Sequence, residues 1–436
     1  MSQGNTISSN ISLLKRFYTH DKVEDASFDK CPLLALLPKM ENVGGVDYNV
    51  PVIYSQGQGR SKLFPTAQAV GAVSGTQSVQ FRLPMTEDWQ DSTISTGLVL
   101  ASEGGKEGAF LENMAQVVDG AISNMSIQLE QKLFGDGSGS RGTVSTATTV
   151  ASSTLILTNP EDVLKFENGM NLQFAATVGG SILAQGSNGT DLVVATVNYI
   201  AGSFTVQGAN GVACNLNDSV YGVPTIATGN FIFQSGDQST SVSLDGGSSG
   251  NVLSGLQAWL PYGGPASNDS FSLSGVNRSI NNVRLAGLYM DGTGLSTEEA
   301  LIKGAALVTK HGDDIDTYIM NWPKFAALSV SLSSKIQIID MKVSPSVGFQ
   351  TMKIVGPNGP IRVIGARNCP STTIFGLKMS TWELVSMRKS VFIWDLDGRD
   401  FLRQGTDSGM ELRVASYANL FCHKPSANIN IKVQAS

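Results

Sequence analysis

Zinc-dependent hydrolysis needs histidines one helical turn apart with a glutamate beside them to activate water. His20, His311 and His423 each stand alone, so each reads as a structural residue. Gly246-Gly247-Ser248-Ser249-Gly250 has the lettering of a nucleophile elbow, G-x-S-x-G. That motif works only on a strained turn from strand to helix; here it lies in a Ser/Gly stretch with no helix behind it and reads as linker. Ser12-Leu13-Leu14-Lys15 and Ser386-Met387-Arg388-Lys389 match S-x-x-K but lack the companion S-D-N and K-T-G motifs of acylating serines. The glycine-rich run Gly135 to Gly142 follows a helix rather than opening one, so its amides cannot cradle a phosphate at a helix N-terminus. Asp313, Asp314 and Asp316 have the composition of a cation site; the favoured reading is solvated loop carboxylates. Cys31, Cys214, Cys369 and Cys422 show no metal-ligand spacing and are expected to be reduced thiols. No catalytic residue, metal ligand or cofactor site is assigned, and the chain is expected not to be an enzyme.

Composition bounds the partners. At 436 residues the chain has room for two or three domains, and 41% hydrophobic residues supply sizeable cores. Only 15% of residues are charged, well below the usual quarter. Either partners cover much of the surface, or a β-rich fold carries Ser, Thr, Gly and Asn in place of charge; the two are compatible. The net charge of -6, with no basic run, argues against sequence-specific nucleic-acid binding but not against a container for DNA. No signal-peptide pattern opens the sequence and no apolar run approaches a membrane span, so folding in a cytoplasm, with no membrane partner, is expected.

The elements follow from periodicity. Residues 1–45 form a polar arm, with a short amphipathic piece at Ile11–Tyr18 and an apolar knot from Pro32 to Pro38 whose prolines limit it to a turn or short helix. Residues 48–58 and 76–85 alternate apolar and polar, as strands do, and make a long two-stranded arm too poor in apolar side chains to stand alone. From about Lys106 to Phe134, Leu111, Met114, Val118, Ile122, Met125, Leu129 and Leu133 fall three or four apart. That stripe predicts a helix roughly 43 Å long, stopped by Gly135. Residues 142–236 read as a small β-barrel or sandwich, with a hairpin across Tyr199–Gly202 and one short helix from Asn159 as N-cap to near Gly169. Residues 237–254 read as a linker. Further on, Ser296 and Glu299 form a capping box for a helix ending at Gly312. Thr317–Asn321 is a strand, Pro323 opens a helix to about Leu332, and Ile336–Met341 and Met352–Val355 are strands. The last of these turns into Ile361–Ile364, and strands at Val391–Trp394 and Glu411–Phe421 close the chain.

This order, an arm, a long hairpin, a stripe helix ending in Gly-Asp-Gly and then a mixed region, resembles the major capsid proteins of tailed double-stranded DNA phages with the Hong Kong ninety-seven fold. Glu107-Gly108-Ala109-Phe110 leading into the helix and Glu130 to Gly139 leading out of it are similar to that family's spine helix and the loop behind it. Phe231 to Asp237 with Gly255 to Trp259, Met320 to Phe325, the hairpin across Asn358-Gly359, Cys369-Pro370 and Arg413 to Pro425 are similar to later family segments. The resemblance implies an α+β capsid fold with an inserted β-domain. Its divisions are an N-terminal arm (1–45), an extended loop (46–85), a peripheral domain (86–136, returning at 383–436), the insert (137–236) and an axial domain (237–382). It implies self-assembly into hexamers and pentamers of an icosahedral head formed in the host bacterial cytoplasm and enclosing DNA without reading its sequence. A portal and possible decoration proteins are the further partners implied. The segment ahead of residue 46 is too short for a folded scaffolding domain, which points to a separate scaffolding protein. Arg60, Lys62, Phe64 and Arg82 in the arm are expected at the subunit interface, facing carboxylates such as Glu107, Glu112 or Glu130 along a neighbour's helix. Other structural virion proteins (tail tube, sheath or decoration), an encapsulin-like container and a secreted β-rich hydrolase are the competing classes. The long helix speaks against the first and the missing signal peptide against the last, while gene neighbours would decide the container.

Overall fold

The computed structural model describes residues 31–45, 47–95, 113–145, 152–183, 192–208, 211, 214–216, 226–238, 252–265, 276–333, 351–395, 402–403 and 409–434. Among the described residues, three six-stranded sheets and one two-stranded hairpin form the β-structure.

The first sheet is organised by one long strand, Gly409–Cys422. Thr86–Ser95 pairs antiparallel along one edge of it, from Ala418 to Gly409. Trp382–Ser386, Phe392–Ile393 and Leu402–Arg403 share the other edge. Lys39–Met40 adds in parallel beside Trp382–Ser386, so the N-terminal segment is stitched into this sheet. The long helix, Asn113–Phe134, lies on one face. Of the expected stripe, Met125 packs on Leu412 and Val414 with Val118 and Ile122 partly buried beside it, and Leu129 and Leu133 continue into the main core; Ala121 and Phe134 join the buried side as well. Each fully buried side chain of this size contributes about 1.5–3 kcal/mol, which makes the stripe the main adhesive. The expected helix start at 106–112 lies outside the described residues.

The same core is closed by the apolar knot, a five-residue helix Pro32–Leu36 whose Leu33, Leu34 and Leu37 are buried, and by Trp259. Trp259 is fully buried between Phe81, Trp382 and Phe421 and donates from Nε1 to the Leu420 carbonyl at 2.9 Å. Gly255 brings the chain there by crossing the end of the long helix. A Cβ at this position would sit 2.5 Å from the carbonyl oxygens of Lys132, Leu133 and Gly135, so only glycine fits.

The second sheet runs Leu288–Asp291, Ile429–Lys432, Thr373–Leu377, Thr317–Met320, Gly359–Gly365 and Thr351–Gly356 in spatial order. Alternation divides its side chains. Tyr318, Met320 and Ile374 face helices Thr297–Lys310 and Trp322–Ser333, whereas Ile319 and Phe375 face the main core. Ser296 caps the helix as expected, accepting from the Glu299 amide, while the Glu299 carboxylate pairs with Lys303 at 2.7 Å, and Gly312 follows the helix at φ +89°. Two details differ from the sequence reading. The strand Ile429–Lys432 was not anticipated, and it carries the tail back into this sheet rather than leaving it wholly with the first. The strand expected at Ile336–Met341 lies outside the described residues.

The third sheet, Ser140–Thr143, Phe231–Gln234, Asn171–Ala175, Leu192–Asn198, Ser203–Gln207 and Thr154–Ile156, encloses its own core around Phe166, Phe174, Phe204 and Ile232. The hairpin across Tyr199–Gly202 is present, with the Asn198 side chain accepting the Ile200 and Ala201 amides. The short helix after Asn159 is a 3-10 turn, Pro160–Lys165, not an α-helix reaching Gly169. Asn159 does not cap it: its side-chain amide reaches Ser371 instead, at 3.3 Å.

The described members of the chemistry-bearing motifs each meet a partner within the chain. Ser386 is buried and donates to the Arg388 carbonyl at 2.5 Å. His423 pairs with Glu383 at 2.9 Å. Of the aspartates near 313, Asp314 is exposed as expected and pairs with Lys378 Nζ at 2.5 Å, whereas Asp313 is buried against Lys424 Nζ at 2.5 Å and the half-buried Asp316 accepts the Met379 amide. The four cysteines form no disulfide. The elbow-like run 246–250, Ser12–Lys15 and Ile11–Tyr18 lie outside the described residues. Among the described residues, no helix is long and apolar enough to cross a membrane.

Candidate assembly interface

The arm hairpin pairs Asp47–Ser55 with Gln77–Pro84, close to the expected strands. Its base is not free. Phe81 and Leu83 are buried in the main core, Tyr48, Val50, Val52 and Tyr54 pack against it, and the Arg284 guanidinium donates to the Tyr54 carbonyl. Beyond Ser55 the arm leaves the body. Between the strands sits a ten-residue helix, Phe64–Val73, where only a loop was expected. Gly59 lies so close to it that a Cβ there would approach the Gly71 Cα to 2.9 Å, and the Gln58 amide donates to Ser74 Oγ at 3.0 Å.

This tip helix buries none of its residues. Leu63 is 64% exposed, Phe64 77% and Val73 83%. A helix this short is marginal in water on its own, and large apolar side chains left exposed at both of its ends point to an interaction site. Arg60 and Lys62 flank it, also exposed.

The predicted interface residues therefore separate. Arg60, Lys62 and Phe64 share the arm tip. Arg82 is at the arm base, where its Nε donates to Asp47 of the same chain at 2.6 Å. Glu107 and Glu112 lie outside the described residues. Glu130 is a correction: it was expected to face a neighbour's arm, yet it is fully buried beneath the segment 31–37. A carboxylate that its own chain covers cannot meet a neighbour's arm. Its Oε2 accepts the Leu34 amide at a long 3.4 Å, while Oε1 is buried with no partner among the described residues. Burial pushes this carboxyl from 4.5 up to about 8, against the pull of the Leu34 and Leu33 amides and the Cys31 side chain.

The sign of the consequence follows from linkage. Because the folded value lies above the unfolded one, the unfolded chain ionises first as pH rises, and each step favours unfolding. Stability is therefore expected to fall by a few kcal/mol between about pH 4.5 and about pH 8 and to level off above. Glu130→Gln, which keeps the shape without the charge, should flatten that slope in denaturant titrations taken across the range. An unchanged slope in the variant would place its origin elsewhere.

The tip helix is what sequence reasoning missed. Pro65 at its first turn and the alanines 67, 69 and 72 were the available signals. With every face exposed there is no apolar stripe to reveal it.

No protein-family model and no curated protein matches this sequence. Solved structures do. The chain is similar to one in the cyanophage A-1(L) capsid asymmetric unit, with a TM-score of 0.51, 10% identity and 96% of each chain covered. Similarity at lower TM-score extends to the capsid of Myoviridae phage XM1 (0.45, 8% identity, 99% of this chain and 100% of that one). It extends also to a holo-SrpI encapsulin complex from Synechococcus elongatus (0.44, 8% identity, 99% and 96%). At such identities what is shared is architecture, and this chain has the fold of a phage capsid protein.

Proposed function

We propose that this chain is the major capsid protein of a tailed double-stranded DNA phage, a shell subunit whose role is geometric rather than catalytic. The observation that carries the reading is the arm tip: a helix with no buried residue and an apolar surface, held away from a body that already has complete cores. A second copy is the partner such a tip fits. Head-to-tail contacts repeated by rotation close into rings, and rings joined at their rims close into a shell. On this reading residues 46–85 are the extended loop, and 86–136 with the first-sheet part of 383–436 form the peripheral domain. The second sheet forms the axial domain around the five- and six-fold axes, and the third sheet is an inserted β-domain. Fold similarity to a phage capsid chain over 96% of the length supports the same assignment. Packaged DNA would be enclosed without sequence-specific contacts, in keeping with a net charge of -6. A separate scaffolding protein, a portal and decoration proteins are the natural further partners, and the mature location is the virion.

The test is electron microscopy of the purified full chain, expressed with and without its natural assembly helpers. Closed icosahedral shells are expected. A chain that stays monomeric at every concentration with its helpers present would overturn the assignment.

A further inference from the structure

Residues 31–41 lie over the long helix as a thin strap. Leu33, Leu34 and Leu37 enter the main core, but the strap's backbone is tied down by little. Lys39 and Met40 pair in parallel with Leu384 and Val385, and the Leu384 amide donates to the Pro38 carbonyl at 2.8 Å. Just beyond, the Val43 amide donates to the Ser386 carbonyl at 3.1 Å. The strap ends in a hinge. Asn42 sits at φ +63°, the one residue other than glycine with a positive φ among the described residues, and Gly45 sits at φ +116°. Asn42, Gly44 and Gly45 are exposed, so the backbone can turn there without disturbing a packed side chain.

What the strap covers is chemically unusual. Glu130 is fully buried, a position that glutamate almost never takes unless paired. Its donors are the Leu33 and Leu34 amides and the Cys31 side chain, all from the strap itself. The cations nearby are committed elsewhere. Arg367, within electrostatic reach of Cys31, holds Glu167 and the Leu164 carbonyl, and Lys132, two residues along the helix, holds Asp88 and Asp237. Among the described residues no salt bridge reaches Glu130, and its Oε1 has no partner. If the strap leaves, every donor leaves with it and the carboxylate gains water instead.

We infer that Glu130 and the strap form a pH-operated latch: with the carboxyl protonated the strap stays docked, and ionisation releases residues 31–41 about the Asn42–Gly45 hinge while the rest of the fold stays intact. Release frees the apolar side chains of Leu33, Leu34 and Leu37. The direction follows from the two environments. Docked, burial holds the carboxyl at about 8; released, it meets water and returns to its ordinary 4.5. The docked value is the higher, so docking is strongest below about pH 4.5 and weakens as pH rises to about 8. Across that window release gains about tenfold per pH unit, and above it both forms are ionised and the dependence ends. The latch belongs to the single chain and stands whether or not that chain builds a shell.

Hydrogen exchange on the unassembled full chain, corrected for intrinsic exchange chemistry, tests it between about pH 5 and about pH 8. The amides of Leu37 and Leu384, bonded to the Leu33 and Pro38 carbonyls, report on the strap. Their protection is expected to fall about tenfold per pH unit. At every pH they should exchange at least about tenfold faster than the amides of Thr317–Met320, a fully buried strand that opens only with the whole fold. Glu130→Gln, which keeps the shape and cannot ionise, should abolish the fall. A strap that exchanges in step with Thr317–Met320 opens only by global unfolding, which overturns the latch. So does protection in the unaltered chain that ignores pH, or a fall that survives in Glu130→Gln.

Discussion

Removing residues 57–75 is expected to leave a soluble, folded subunit that forms no stable shells. The excision joins Gln56 to Thr76, a two-residue connection between strand ends already paired at Ser55 and Gln77, a length that hairpins use routinely. No residue between 57 and 75 is buried, so the body loses no core contact, while the arm base keeps Phe81 and Leu83 in place. Melting should shift little. Assembly should be lost outright, because every subunit lacks the same apolar tip and the defect is repeated around each ring. Analytical ultracentrifugation and negative-stain microscopy separate the outcomes, and intact shells from the shortened chain would show that the arm tip does not hold the lattice.

The second large effect is expected at Arg141. This side chain enters the third sheet on its first strand yet is 5% exposed, buried where that sheet meets the end of the long helix. Its Nη1 donates to Gln131 Oε1 and to the Lys165 carbonyl, both at 2.8 Å. Its Nη2 donates to Gln128 Oε1 at 2.5 Å and to Gln234, with Asp237 at 3.4 Å. Asp237 is shared with Lys132, which also holds Asp88, so one cation joins the helix, the third sheet and the first sheet. Burial holds the guanidinium below its ordinary value, with Asp237 acting against that. Arg141→Ala strands three side-chain amide oxygens and the Lys165 carbonyl, leaves Asp237 to Lys132 alone, and should cost roughly 3–5 kcal/mol. Hydrogen exchange at 140–143 and 231–234 should speed up by on the order of a hundredfold, with the second sheet unaffected. Arg141→Lys should rescue little, since one ammonium cannot reach five separated acceptors. Unchanged exchange in the alanine variant would mean the junction is held by something else.

What the sequence made legible was local. Val118 to Leu133 advertise a helix because burial on one side imposes a 3.6-residue period, and Ser296 with Glu299 announces a cap because both partners lie within one turn. What it hid was set by distant chain. Glu130 reads as a solvent-facing charge until residues 31–37, some 96 positions earlier, fold over it. Asn159 has the form of a cap, but Ser371, 212 positions away, takes its side chain. Asp313 reads as hydrated until Lys424, 111 positions later, covers it. The tip helix failed for the opposite reason, having no burial and hence no period.

The third sheet begins with Ser140–Thr143 and ends with Phe231–Gln234, and these two strands pair antiparallel with each other. The chain therefore departs from the body and rejoins it through two neighbouring crossing points. A module attached by so narrow a neck can lengthen, shrink or be exchanged during evolution while the spacing of the remaining elements stays constant. The size and surface chemistry of that module can then vary independently of the rest of the fold.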